Sequence, residues 1–554
     1  MIVFVRIVAS MSSVVVAVGC VILLAATSVA QQNSAGQETA EQEAAKGAKP
    51  NIIVIMADDL GFGDVSCYGA TAFQTPNIDR LAKSGCRFTS GYCSASTCTP
   101  TRYSMLTGNY AFRKKGTGIA PPNAPAIIQP GVQTVASILQ RGGYKTAVVG
   151  KWHLGLGAPA KKGQNGSRGG PDWNGELKPG PLEIGFDTCF LLPTTNDRVP
   201  QVYVKDHRVL NLDPNDPLWV GKKKPTPDHP TGKTHRDTLK MDWSHGHNST
   251  IHNGISRIGF YTGGHAARFR DEDLADQWVE QSQAFIESNQ DNPFFLFFSS
   301  HDIHVPRIPH ERFQGKTPLG FRGDSIVQLD WCVGEIMKTL ERLKLTEKTL
   351  VVFCSDNGPV MDDGYQDEAL EKLGEHRAAG IYTGGKYSVY EGGTRTPFIT
   401  HWPGTISPGV SDEVVCTIDF CASFAKLTAQ SLADQDCVDS LNVLDALLGK
   451  QQAKGRDHLV SQNNSDSALG LRVGDWKLLH HKSKKAMNVA VEQKLARTNV
   501  PEFQLFNLAN DPSEQKNVMA ENAAVAERMK KRLKQIVDQG RTRTTQPAGQ
   551  KVRN

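Results

Sequence analysis

Asn51-Ile52-Ile53-Val54-Ile55-Met56 is a short apolar run that turns abruptly polar at Ala57-Asp58-Asp59-Leu60-Gly61. A brief, unbroken apolar run bounded by a turn signal reads as a strand buried on both faces, the pattern of a parallel sheet. Lys145 to Val149, Phe294 to Phe298 and Leu350 to Phe353 have the same form. Helical patterns fall between them, over Asn77 to Ser84, Thr134 to Arg141, Asp271 to Glu287 and Ser325 to Leu343. Strands alternating with helices predict an α/β fold with a large, mostly parallel sheet flanked by helices. Ligands of such sheets bind beyond the carboxyl ends of the strands. That rule singles out Asp58, Lys151, His304 and Asp356, which follow the four runs.

Working outward, residues 155–253 are rich in Gly, Pro, Asp and Asn, as in an insertion that builds binding loops. Past Leu441 the pattern changes. Leu469 to Leu479 and Phe503 to Leu508 read as strands of a small antiparallel sheet, followed by an amphipathic helix from Ala523 to Gln539. The expected organisation is a catalytic domain over 50–440, a small C-terminal subdomain over 441–540 and a disordered tail over 541–554. At the other end, Arg6 precedes an apolar run from Val14 to Ala26, and Ser28-Val29-Ala30 offers a cleavage site. This is the layout of a signal peptide over 1–30, with a membrane anchor as its rival, and a polar linker over 31–49 follows. The expectation is export, with no stable membrane partner.

The 554 residues exceed what one core usually supports. A formal charge of +5, from 62 basic and 57 acidic residues that are scattered rather than blocked, argues against a nucleic-acid partner. Eleven cysteines without regular spacing mark no disulfide framework, and Cys354, inside an apolar run, reads as a small buried hydrophobe.

Three groups of residues point to chemistry. In Cys98-Thr99-Pro100-Thr101-Arg102, Pro100 suits the first turn of a helix, which places Cys98 at the N-terminus with Arg102 on the same face. Such a site holds an anion; the other reading is a buried cysteine beside a capped helix. Asp58-Asp59 and Ser355-Asp356-Asn357-Gly358 gather hard oxygen donors suited to calcium or magnesium, or else form turns. Asp197-Arg198 in the insertion offers a pair able to read vicinal sugar hydroxyls, or to tie down a loop, with His245 and His247 as further candidates.

Cys-x-Pro-x-Arg followed by Leu106-Thr107-Gly108 resembles the signature of the type I sulfatases, which have an alkaline phosphatase-like fold. Gly150-Lys151-Trp152-His153, His304-Val305-Pro306 and Gly385-Lys386 match further family segments in order over Asn51 to Gln539, with Thr101 where the family more often has Ser or Ala. The resemblance implies that a formylglycine-generating or sulfatase-maturing enzyme converts Cys98 to formylglycine, whose hydrate is the nucleophile. It implies one Ca²⁺ held by Asp58, Asp59, Asp356, Asn357 and the modified Cys98. Arg102, Lys151 and Lys386 would hold the sulfate, His304 would protonate the leaving alcohol, and His153 would act as the base that releases sulfate. The stretches Leu191 to Asp213 and Ser244 to Arg270 resemble sulfatases acting on 6-O-sulfated galactose or N-acetylgalactosamine. A phosphonate or phosphate ester hydrolase, and a catalytically silent glycan-binding protein, are the alternative readings.

Overall fold

The computed structural model describes residues 49–160, 170–487 and 497–544. The expected signal peptide over 1–30, the expected linker up to residue 48 and the expected tail beyond residue 544 lie outside the described residues. Asn51–Ala57 sits at the middle of a ten-stranded sheet. It pairs in parallel with Phe294–Ser299 on one side and Thr349–Ser355 on the other. Lys145–Lys151 and Thr188–Leu192 extend the parallel part beyond Phe294–Ser299. The four predicted strands are therefore the centre of the sheet, each reaching a little further than its apolar run.

The edges differ from the centre. Ile399–His401 adds antiparallel to Thr349–Ser355 and is followed outward by Cys86–Phe88 and Gly409–Ser411. Val204–Lys205 and Arg208–Val209 close the opposite edge as an antiparallel ribbon. These strands are two or three residues long, too short to leave a pattern in the sequence.

Alternation along the central strand divides the core. Ile52, Val54 and Met56 face a cluster that includes Tyr103, Met105, Ile138, Leu139 and Phe424 from three helices. Ile53, Ile55 and Ala57 face a second cluster with Ile78, Leu81, Trp278, Ile326 and Leu329. The helices Pro76–Ser84, Val135–Arg141, Leu274–Ser288 and Gly320–Arg342 lie where the periodicity placed them, with ends moved by a few residues.

At the C-terminal end, His458–Gln462, Ala468–Val473, Trp476–His481 and Phe503–Asn507 form a four-stranded antiparallel sheet. The run read from Leu469 to Leu479 is two strands, because Gly474 turns the chain at φ +56°. The helix Ala523–Asp538 lays Ala526, Met529, Leu533 and Ile536 on Leu471, Leu478 and Leu505. That spacing is one helical stripe. Tyr92 and Tyr110 of the main body share this cluster. The first residues of the expected tail are fastened: the Thr542 and Arg543 N–H groups donate to the Val438 carbonyl. Among the described residues no helix is long and apolar enough to cross a membrane.

Candidate active site

The parallel register delivers the site. Ala57 pairs with Ser355, and Ser299 lies beside both Met56 and Gly150, so four strands end together. Asp58, Asp356 and Lys151 emerge at these ends and are fully buried. Gly150 is obligatory here: its φ is +108°, and a Cβ would lie 1.9 Å from the Ser299 carbonyl oxygen. Asp59 and His153 adopt left-handed backbone at φ +60° and +54°, and Tyr387 at +72°. Such conformations are unfavourable for these residues and gather where surrounding structure enforces them.

Cys98 begins the helix Cys98–Thr107, all ten residues of which are buried. Burial raises the thiol's pKa despite the pull of Lys151 and Lys386, so the side chain stays a neutral thiol rather than a thiolate. Arg102, four residues on, turns to Asp356: Nε donates to Oδ2 at 2.9 Å and Nη2 lies 2.9 Å from the same oxygen. Its Nη1 donates to the Lys151 carbonyl at 3.0 Å and to the Ser299 hydroxyl. The guanidinium expected to hold an anion thus orients a carboxylate and two strand ends.

Each lysine meets a carboxylate. Lys151 Nζ donates to Asp58 Oδ2 and lies 3.9 Å from Asp356 Oδ2. Lys386 Nζ donates to Asp59 Oδ2 at 2.8 Å and to Asp363 Oδ2 at 2.7 Å. Burial works against the Lys386 charge, but Asp363 and Asp59 outweigh it and raise its pKa well above the ordinary value. Asp363 also accepts from the Tyr387 hydroxyl, at 3.0 Å to Oδ1. Neither Asp363 nor Tyr387 was singled out from the sequence.

The carboxylates are crowded. Burial and Asp356 push the Asp58 pKa well up against the pull of Lys151. Burial also raises Asp59, opposed by Lys386. For Asp356, Arg102 and Lys151 overcome burial and hold the pKa below the usual value. Asn357 Nδ2 donates to Asp59 Oδ1 at 2.7 Å. Two oxygens are left over: Asp58 Oδ1 and Asn357 Oδ1 are buried without a hydrogen-bond partner. Native proteins rarely leave such atoms unmatched. Orphaned, hard oxygen donors beside a second carboxylate fit a calcium-like cation. Ligand atoms of Asp58, Asp59 and His304 lie within 4.8 Å of one another, so His304 borders the same position.

The two histidines are neutral and have opposite tautomers. His153 Nε2 lies 3.2 Å from the Ala120 carbonyl, which only accepts, so Nε2 carries the proton and Nδ1 is a bare, buried, unpartnered acceptor. Burial and Lys151 keep its pKa far below the ordinary value. The Thr99 hydroxyl, beside Cys98, donates to the His153 carbonyl and accepts from the Ala120 N–H, both at 3.0 Å, fixing the pair. His304 Nδ1 donates to the Val305 carbonyl at 2.6 Å, which leaves Nε2 as the bare nitrogen, 4.0 Å from Asp59 Oδ2. Burial and Lys386 lower its pKa well below the usual value.

In the insertion, Asp197 is saturated. It accepts from Arg198 Nη1 at 2.8–2.9 Å, from the Thr195 hydroxyl and from His247 Nε2 at 2.9 Å. Burial raises the Asp197 pKa, but Arg198 and His247 hold it well below the usual range. Arg198 uses only Nη1 in these bonds; burial works against its charge, but Asp197 outweighs it and raises its pKa. His245 is separate, half-exposed and 3.9 Å from Asp362.

A cysteine at a helix N-terminus, two buried lysines and orphaned oxygen donors, gathered at the ends of parallel strands, suit the binding of a compact anionic ester. The family model described as Sulfatase matches residues 50–430, and one described as N-sulphoglucosamine sulphohydrolase, C-terminal, matches residues 374–539. The chain is 45% identical over 508 residues to the N-acetylgalactosamine-6-O-sulfatase of Bacteroides thetaiotaomicron, covering 92% of this chain and 97% of that protein. It is 29% identical over 497 residues to human arylsulfatase A, covering 88% and 87%. Among solved structures, a Bacteroides thetaiotaomicron protein of the metabolism of multiple glycosaminoglycans aligns with a TM-score of 0.83 at 46% identity, over 88% of this chain and 99% of that one. The chain belongs to the sulfatase family, and it is a sulfuric ester hydrolase.

Proposed function

We propose that the chain is an exported, calcium-dependent sulfatase that removes 6-O-sulfate from galactose or N-acetylgalactosamine units of a sulfated glycan. Residues 50–440 are its catalytic body, 441–540 its C-terminal subdomain and 1–30 its export signal. The observation that supports the site reading most is the pair of orphaned oxygens, Asp58 Oδ1 and Asn357 Oδ1, buried beside Cys98 and the two lysines. The substrate reading draws on the 45% identical relative, which is described as an N-acetylgalactosamine-6-O-sulfatase.

Asp58, Asp59, Asp356 and Asn357 hold the calcium, together with the side chain at position 98, after a maturing enzyme has converted Cys98 to formylglycine. When present, calcium supplies charge neutralisation and formylglycine supplies, as its hydrate, an oxygen nucleophile and a second hydroxyl for release of sulfate. Lys151 and Lys386 turn from their carboxylates to the sulfate oxygens. Arg102 holds Asp356 and places its positive charge behind the anion. His153 Nδ1, bare and unpartnered, takes the proton set free as sulfate departs. His304 Nε2 is kept unprotonated by burial and the lysines; the negative charge of bound substrate works the other way and favours its protonation. It then passes that proton to the leaving alcohol. Arg198 presents its free N–H groups to the sugar.

Sulfate release from galactose 6-sulfate and N-acetylgalactosamine 6-sulfate, measured alongside mass spectrometry of the Cys98 peptide, tests this reading. Activity is expected to follow the fraction of aldehyde at position 98 and to require calcium. Full turnover by a preparation holding only the unmodified thiol would sink the nucleophile assignment. Stoichiometric zinc in active protein would sink the metal assignment.

A further inference from the structure

Behind Lys386 lies a second group of buried charges that the sulfate chemistry does not use. Glu391 opens the short helix Glu391–Thr394. Its Oε2 accepts from the Tyr92 hydroxyl at 2.5 Å and from Arg395 Nη1 at 3.1 Å. Its Oε1 accepts from Lys477 Nζ at 2.8 Å. Lys477 lies 3.1 Å from Glu514 Oε1, and Glu514 Oε2 accepts from the Glu391 backbone N–H at 2.6 Å. Arg472 donates to the Tyr92 hydroxyl. Arg472 and Lys477 belong to adjacent strands of the C-terminal sheet, and Glu514 follows its last strand. Glu391, Lys477 and Glu514 are 1%, 2% and 4% exposed. Ion pairs this deeply buried are weak sources of stability, since desolvation offsets their attraction. Their placement calls for another explanation.

The segment they grip is the one that bears Lys386. The Lys386 N–H donates to the Pro359 carbonyl at 2.9 Å and the Tyr387 N–H to the Ser96 carbonyl at 2.7 Å. The Gly392 N–H donates to Thr383 at 2.8 Å, and Gly358, next to Asn357, donates to Gly393 at 2.9 Å. These backbones touch with no slack: a Cβ on Gly358 would lie 1.8 Å from the Gly392 oxygen, and one on Gly393 would lie 1.9 Å from the Ser388 oxygen. In a close-packed interior a shift of the Glu391 turn has to move its neighbours. Those neighbours lead to Asn357 on one side and Lys386 on the other.

The geometry points to Lys477 and Glu514 as positioning residues for sulfate cleavage, reaching from the C-terminal sheet to hold the Glu391 turn and, through it, Lys386 against the sulfate. The inference rests on the reading that Lys386 binds sulfate; neither Lys477 nor Glu514 touches the substrate. The C-terminal sheet is thereby part of the catalytic apparatus.

The test compares Lys477→Met, Glu514→Gln, the double variant and Lys386→Ala, on a sugar 6-sulfate and an aryl sulfate. Lys477→Met leaves two carboxylates facing each other and is expected to lose stability as well as activity. The double variant removes that repulsion: Glu391 keeps Arg395 and Tyr92, and the amide oxygen introduced by Glu514→Gln still accepts from the Glu391 N–H. Its melting temperature is expected to return to near that of the wild type. Its kcat is expected to stay roughly tenfold or more below wild type on both esters, with KM changed less than about threefold. Assayed at pH 8, above the value of about 7 to which burial raises the Glu514 carboxyl, Glu514→Gln, which keeps shape and volume, is expected to lower kcat without lowering the melting temperature, so the inference remains testable even if the other variants fold poorly. Recovery of kcat together with the melting temperature in the double variant would overturn it, because the network would then serve the fold alone. A loss confined to the sugar ester would also overturn it, since Lys386 meets the sulfate common to both. If Lys386→Ala leaves kcat unchanged, the reading of Lys386 fails and the brace falls with it; if Lys386→Ala abolishes turnover while the double variant matches wild type, the brace alone fails.

Discussion

The two ends of the candidate site are built differently. At the sulfate end every cation already faces a carboxylate: Lys151 meets Asp58, Lys386 meets Asp59 and Asp363, and Arg102 meets Asp356. At the end formed by the insertion, Arg198 bonds through Nη1 alone and His245 stands half in solvent. The first arrangement is preorganised: its groups need only exchange partners when charge arrives, so little reorganisation opposes the reaction. The second keeps donors in reserve, and it meets the first mainly through the charges of Asp197 and Arg198, which act on His153 and His304 in opposite directions. On the proposed roles chemistry and selectivity divide between the two ends, and substitutions at them should have different signatures.

The largest effect is expected at the nucleophile. Cys98→Ala should lower kcat on every sulfate ester by about 10³-fold or more, because the removed group is the proposed nucleophile. An active Cys98→Ala enzyme would break the comparison at its root. Removing the cation comes next. Chelation should abolish turnover on both ester classes, lower the melting temperature through loss of a ligand that binds only the folded state, and be reversed by calcium. Activity that survives exhaustive dialysis against chelator would contradict the reading of the orphaned oxygens.

Arg198→Ala probes the other end. Charge-assisted hydrogen bonds are each worth roughly 1.5–3 kcal/mol, so kcat/KM on the cognate sugar sulfate should drop roughly ten- to more than a hundredfold. Turnover of an aryl sulfate, which lacks the hydroxyls, should stay close to wild type. Equal losses on both would show that the two ends are not separable.

The brace behind the sulfate end has a pH signature. Burial, partly offset by Lys477, moves the Glu514 carboxyl from 4.5 to about 7. A carboxyl whose pKa is raised on folding binds its proton more tightly in the folded state. Its stabilising contribution is complete below about 4.5 and is lost as pH rises through about 7. Relative to Glu514→Gln, the wild type should lose roughly 2 kcal/mol of unfolding free energy between pH 5 and pH 8, read by denaturant titration at both. A constant difference between the two proteins would contradict the burial of that carboxyl. The smallest effect is expected at the rim, where His245→Ala should change kcat/KM on the sugar sulfate by less than about threefold, as for an exposed side chain with few partners.

How much of this was legible in the sequence follows from the same division. Four apolar runs marked the central strands, and the residues just after them, Asp58, Lys151 and Asp356, are drawn together by the parallel register. Period and flanking polarity are local signals, and they suffice for strands buried on both faces. The edge strands at Cys86–Phe88 and Ile399–His401 are too short to have a period. Asp363 was invisible for a different reason. Asp362-Asp363-Gly364 reads as an ordinary turn, and only folding brings it to Lys386, 23 residues on, and to Tyr387. Arg102 shows the converse: its spacing from Cys98 was readable, but not its engagement by Asp356, 254 residues away. The neutral tautomers of His153 and His304 depend on the carbonyls of Ala120 and Val305 and on two distant lysines.

The burial of the helix that begins at Cys98 also bears on when the proposed conversion could take place. Cys98 is 1% exposed, and every residue from Cys98 to Thr107 is enclosed between the sheet and its covering helices. An enzyme that rebuilds the Cys98 side chain must seat several residues of Cys98-Thr99-Pro100-Thr101-Arg102 in its own active site, and the folded protein offers none of them. On the proposed conversion of Cys98, maturation and folding would compete for the same segment. A chain that folded before the proposed conversion would keep its thiol enclosed until it unfolded.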